Sequence, residues 1–168
     1  METLDALRGK RDTRSYRPDP VADEVLDRVL DAARMAGSAK NTQPVRVVVV
    51  TDQADKSALK AGGDFASWID RPPVLVVMTV RSDAGPRRLF DVGRHSQNLM
   101  VAAHAEGLAS CPVTFHHQDV VRPILGLPDD VEAPMVMTLG WPGEAEGESP
   151  IAGPRVPFGD YVSRGRWA

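Results

Sequence analysis

Residues 88–106 set the strongest constraint on how this chain folds. They read as one long helix ended by Gly107, and its centre, Leu99-Met100-Val101-Ala102-Ala103, is apolar almost all the way round. A helix that is hydrophobic on most sides has to be buried on most sides. In a chain of 168 residues, the size of one ordinary domain, it must lie centrally or against another subunit. The second constraint is Val74 to Val80, a nearly unbroken apolar run that follows Pro72-Pro73. Its length fits a strand, and its lack of alternation predicts burial on both faces.

The other segments fill in around these two. Residues 2–9 read as a short helix ended by Gly9. From Asp23 to about Met35 the apolar positions Val25, Val29, Leu30 and Ala33 recur at helical spacing. Residues 36–44 form a polar loop closed by Pro44, and Val45 to Thr51 a strand rich in β-branched residues. Residues 53–69 are weakly helical, with Gly62-Gly63 interrupting. A brief strand at 110–114, a short helix from Asp119 to Leu125 and a third clear strand from Met135 to Leu139 complete the pattern. From Gly143 the chain is rich in Gly, Pro and Glu and ends in FGDYVSRGRWA. That segment, 143–168, cannot make a core of its own and is expected as an extended arm. Irregular alternation of helices and strands predicts an α+β sandwich, one small sheet with helices packed over it, and one domain over 1–168.

Composition excludes several classes of function. A net charge of −3 argues against a dedicated nucleic-acid binder. The single cysteine, Cys111, rules out an internal disulfide framework and a multi-cysteine zinc site. The apolar runs fall far below the ~20 residues that span a bilayer, and METLDALRGKRD lacks the apolar core of a secretory signal. A cytoplasmic protein without a membrane partner is expected. No GxGxxG follows a strand and no GxxxxGK[ST] is present. Nor is there a Ser/His/Asp order, a glycosidase-like carboxylate pair or a metalloprotease motif. Chemistry without such a side-chain set is usually borrowed from a cofactor.

A few residues stand out as candidates. Lys10, Arg11 and Arg14 put three cations within five residues. They read either as an oxyanion site, since guanidinium groups donate in pairs to phosphate oxygens, or as a solvated face partly neutralised by Asp12. The loop Ser38 to Pro44 offers hydroxyls and amides between a helix and a strand, for binding or simply for water. His116-His117 is a tempting metal pair. Adjacent residues of an extended chain point opposite ways, however, and no second ligand cluster sits at suitable spacing, so no metal is expected. Cys111 reads as a small buried hydrophobe, and His95 and His104 as satisfied imidazoles.

Taken together, four stretches resemble the flavin-dependent nitroreductase family, and nearly the whole chain takes part. KRDTR followed by Ser15-Tyr16 and Pro18-Asp19-Pro20-Val21 is similar to the family's opening signature. AARMAGSAKNTQPVRVVVVTD (32–52) resembles its alanine-rich helix end, Asn-x-Gln-Pro loop and strand. HSQNLMVAAHAEGLASCPV (95–113) resembles the central helix and its exit. Pro134 to Pro142, with Leu139-Gly140-Trp141-Pro142, resembles the late strand and its turn. The order and spacing of the four carry the resemblance.

The resemblance implies a nitroreductase-like sandwich with a mainly antiparallel sheet, an obligate homodimer with a C-terminal arm over the partner, and two FMN sites lined by both subunits. It implies that Lys10, Arg11, Asp12 and Arg14 hold the phosphate and ribityl chain, with Arg155 as a second phosphate cation. Ser38, Asn41 and Gln43 would approach the flavin from the partner chain. Pro112, Val113 and Thr114 would lie along one flavin face and edge, with a backbone N–H reaching N5. The implied reaction is ping-pong hydride transfer from NADH or NADPH through flavin N5 to a small-molecule acceptor such as a nitroaromatic or quinone. Alternatives are a specialised flavin enzyme, such as a biosynthetic dehydrogenase or a reduced-flavin-fragmenting dimethylbenzimidazole synthase, or a flavin-binding protein without turnover.

The sequence also departs from the family pattern. Asp12 stands where serine is usual, Gly37 replaces a proline, Ala39 a serine, and Gly153 a lysine before the last phosphate arginine. Asp64 and Ser67 fall near positions where some members place Asn and Lys on the flavin ring. Between Val80 and Arg88 there is no room for a helical lid, which predicts an open, permissive pocket, or a large or protein-bound substrate.

Overall fold

A computed structural model describes residues 2–144 and 153–167. Of the expected arm, 145–152 and 168 lie outside the described residues. The chain runs α1 (Thr3–Gly9), α2 (Asp23–Arg34), β1 (Val45–Val50), α3 (Gln53–Leu59), β2 (Val74–Arg81), α4 (Arg88–Ala105), β3 (Ala109–Thr114), α5 (Gln118–Leu125), β4 (Val131–Gly140) and α6 (Phe158–Tyr161). Short 3-10 turns occupy Ala39–Asn41 and Lys60–Gly62. The four strands form one antiparallel sheet in the order β1-β2-β4-β3. The expected α+β sandwich with an antiparallel sheet is what the chain forms.

Strand β2 shows why its sequence does not alternate. Val74, Val76, Met78 and Val80 face one core, built with Leu26, Val29 and Ala33 of α2 and Val92, Leu99, Met100 and Ala103 of α4. Leu75 and Val77 face a second core with Leu59, Ala66, Trp68, Ile69, Phe115 and Val121. Each side chain alternates across the pleat, but both sides are covered. Helix α2 points Leu26, Val29 and Ala33 inward at i, i+3 and i+7, as its amphipathic pattern requires.

The central helix is half central. Val92, Leu99, Met100 and Ala103 are buried, while Phe90 remains 64% exposed and Gly93, Arg94 and Gln97 face out. Of the five apolar residues at its centre, Val101 and Ala102 are only partly covered.

Strand β4 is longer than the apolar run Met135 to Leu139 that signals it. Glu132 and Pro134 hide its first half in the sequence. The reason they are tolerated is a bulge: Met78 pairs with Met135 and Val80 with Glu132, so Ala133 and Pro134 together oppose Thr79. Proline fits there because no ladder donor is needed. The Gln118 side chain fills in as a strand would, accepting from Ala133 N–H at 2.8 Å and donating to its carbonyl at 2.9 Å.

The C-terminal segment contains one helical turn, α6, where the sequence alone suggests only extended chain. No helix among the described residues is long and apolar enough to cross a membrane.

Candidate functional site

The basic segment after α1 is held against the open edge of β3. Asp12 bridges Ser110 in parallel, and the Thr13 N–H donates to the Ser110 carbonyl at 3.2 Å. Tyr16 anchors the segment from beneath: its hydroxyl lies 2.7 Å from the Thr13 carbonyl and 2.6 Å from the Thr138 hydroxyl. Burial holds that phenol well above its ordinary value, so it stays neutral.

This docking builds a cavity of about 210 Å³ lined by Leu7, Lys10, Arg11, Asp12, Gln97, Met100 and Arg155. Four of the candidate residues thus meet, one of them from the far end of the chain. Lys10 is fixed by an ion pair with Asp12 and by the Met100 sulfur 3.1 Å from its Nζ, with its side chain only 8% exposed. Arg11 donates to the Arg8 and Lys10 carbonyls at 2.6 and 2.8 Å. Gln97 and Met100, three residues apart on α4, complete the lining. Their helical spacing is visible in the sequence, but nothing there marks them as facing the cations.

Arg14 points elsewhere, its guanidinium 5.2 Å from the centre of the Trp68 ring. Cys111 lies below it, buried and free, and burial pushes its thiol up, which leaves it inert.

Beyond its bridge to Asp12, strand β3 presents one further backbone donor on its open edge. The Ser110 carbonyl faces Thr13, so by strand alternation the backbones of Pro112 and Thr114 face the same way. Pro112 has no N–H. Thr114 therefore supplies the donor, while the Val113 side chain turns into the second core.

Ser38, Asn41 and Gln43 do not line the Lys10 cavity within one chain. Their loop is tied to itself: Ser38 Oγ accepts from Gln43 N–H at 2.8 Å, and Gln43 Nε2 donates to Asn41 Oδ1 at 3.1 Å. Lys40, Asn41 and Gln43 all have positive φ, at 53°, 55° and 47°, a conformation that costs about 1–3 kcal/mol per residue and gathers at functional loops. Thr42 and Gln43 rim a separate cavity of about 470 Å³ with Arg46, Arg81 and Asp83.

The His116 and His117 rings lie 6.3 Å apart between centroids, and both turn to Asp64, whose carboxylate lies 2.8 Å from His117 Nε2. Among the described residues no three His, Cys, Asp or Glu side chains gather as a metal site.

Known proteins resemble this chain along most of its length. A family model described as the nitroreductase family matches residues 7–66 and 61–141. A protein of Thermus thermophilus named NADH dehydrogenase is 29% identical over 86% of this chain and 88% of its own length. A Bacillus subtilis protein named FMN reductase [NAD(P)H] is 38% identical over 45% of this chain and 30% of its own. A crystal structure of a nitroreductase family protein from Clostridium difficile 630 superposes with a TM-score of 0.85 at 25% identity, covering 99% of this chain and 100% of that one. With the family model covering most of its length, the chain belongs to the nitroreductase family.

Proposed function

We propose that the chain is an FMN-dependent oxidoreductase that takes electrons from NADH or NADPH and passes them to a small acceptor such as a nitroaromatic or quinone. The observation that carries this reading is the cavity where Lys10, Arg11 and Arg155 meet. Three cations against the single carboxylate of Asp12 match a phosphate monoester, which carries nearly two negative charges at neutral pH. The residues present therefore fit the group. Bound there, FMN supplies two-electron chemistry that none of these side chains offers, serving donor and acceptor in turn in a ping-pong cycle.

The chain's own contribution is positioning and charge. Lys10, Arg11 and Arg155 hold the phosphate. Asp12 orients Lys10 and takes the polar chain beside it. Arg14, stacked on Trp68, places a fixed cation next to β3. The Thr114 N–H donates at the ring edge, a preorganised dipole aimed where charge develops, and Pro112 and Val113 form the strand that presents it.

A homodimer completes the site, with Ser38, Asn41 and Gln43 reaching the partner's flavin. Apolar groups left in water by one chain support this: Leu4, Leu7 and Phe90 on α1 and α4, and Val156, Phe158 and Tyr161 on the arm, which would cover the partner. The whole chain acts as one domain, and the cytoplasm, with its NAD(P)H, is where it works.

Anaerobic addition of NADH or NADPH to FMN-loaded protein tests the reading. Bleaching of the visible flavin band is expected with at least one of them, and re-oxidation on adding a nitroaromatic or quinone. A flavin that stays oxidised with both overturns it.

A further inference from the structure

Beyond the cationic cavity, the fold gathers a second set of chemistry-bearing side chains at the other end of β3. The loop after the Lys60–Gly62 turn is clamped to the strand's exit. The His116 and His117 N–H groups both donate to the Gly62 carbonyl, at 2.8 and 3.0 Å. Gly63 sits so close that a Cβ there would lie 2.5 Å from the Thr114 carbonyl oxygen. No side chain separates loop and strand.

Within this clamp the imidazoles are oriented. His117 Nε2 donates to the Asp64 carboxylate at 2.8 Å. The Asp64 backbone N–H donates to His116 Nδ1 at 3.3 Å. The Asp64 carboxylate lies 3.8 Å from the same nitrogen, and with Nδ1 turned to Asp64 the ring offers Nε2 as its remaining donor. That Nε2 meets no partner among the described residues, on a side chain 39% exposed. Beside it stands Phe65, edge-on with ring centroids 6.5 Å apart. Phe65 is 76% exposed, a costly placement for a benzyl group that nothing in the fold of this loop requires.

We propose that Phe65 and His116 form the binding corner for the aromatic electron acceptor, an assignment that rests on reading Thr114 as the donor at the flavin edge. Phe65 packs against the acceptor ring. His116 Nε2–H donates to a nitro or quinone oxygen. Asp64 holds His116 through its backbone and is itself braced by His117. The exposed Asp64 carboxylate gives the corner a negative charge, so it favours neutral acceptors over carboxylated ones.

Calorimetric titration of oxidised, FMN-loaded protein tests this without turnover, using acetophenone as the neutral probe and benzoate as the anionic one. Acetophenone should bind at least about fivefold more tightly than benzoate. His116→Phe, which keeps an aromatic ring, should weaken acetophenone by about three- to tenfold, the range of one neutral hydrogen bond. His116→Gln, which keeps a side-chain N–H, should hold it within about twofold. Asp64→Asn should bring benzoate to within about twofold of acetophenone. Failure of the parent to bind acetophenone, a preference for benzoate, or equal losses in His116→Phe and His116→Gln would each overturn the corner. Separate FMN titration of the same samples keeps the two readings apart. Protein that loads FMN but treats the probes alike loses only the corner; protein that takes no FMN loses the flavin reading and, with it, the corner's assignment to an electron acceptor.

Discussion

Two regions share the open edge of β3 and differ in almost every property. Where the segment Lys10 to Thr13 meets Ser110, cations outnumber acids, a polar cavity opens and an arm residue, Arg155, joins from the far end of the chain. Where Thr114 leaves the sheet, one carboxylate, two imidazoles and an exposed phenyl ring stand on a loop pressed against the backbone. The first region is suited to a fixed, highly charged group that stays. The second is suited to a neutral aromatic molecule that comes and goes. A site polarised in this way separates retention of a cofactor from exchange of a substrate.

The largest expected effect comes from unbalancing the first region. Arg155→Ala should weaken FMN binding by about ten- to a hundredfold, the range of a charge-assisted hydrogen bond, as read by quenching of FMN fluorescence. The same substitution should leave acetophenone binding to FMN-saturated protein unchanged. An equal loss of both ligands would erase the distinction between the two ends.

Next in size is Gly63→Ala. Its Cβ would meet the Thr114 carbonyl at 2.5 Å, and backbone cannot step aside cheaply. Overpacking of this kind costs about 1–3 kcal/mol, which thermal unfolding would register as a fall of several degrees. A control, Gly153→Ala, meets no atom within 4 Å and should leave the midpoint where it is. Equal midpoints for the two variants would mean that loop and strand are not pressed together.

Gln118→Ala lies behind both regions. Loss of its two bonds to Ala133 leaves a bulge donor unpaired, at a cost of about 1–2 kcal/mol. Denaturant unfolding should detect it, with FMN affinity unchanged. The smallest effect belongs to Arg34→Ala, which breaks only an exposed ion pair with Asp31 and should move stability by less than about 0.5 kcal/mol.

The same comparison explains how much the sequence shows without a fold. Lys10, Arg11 and Arg14 are neighbours in sequence, so their cluster is visible without a fold. Arg155 joins them only through the resemblance, because no local pattern links positions at opposite ends of a chain. Asp64 and His117 are 53 residues apart, and the sequence shows each without its partner: a departure from a family pattern and half of a histidine pair. Gly62-Gly63 reads as a weak spot in a helix, whereas its meaning is close approach. Adding a Cβ at Gly62 would strike Val121 at 2.5 Å and Phe115 at 3.0 Å. The two-sided burial of β2 is plain from its composition; the early half of β4 is not, because Pro134 is acceptable only at a bulge that the partner strand defines.

The cations around the first cavity are expected to hold a phosphate. Comparing FMN with riboflavin, which has the same ring and polyol but no phosphate, tests it most directly. Titrated into flavin-free protein, FMN should bind at least about tenfold more tightly than riboflavin, and added inorganic phosphate should compete with FMN alone. Equal affinity for the two flavins, or no binding of either, would mean that these cations hold no flavin phosphate.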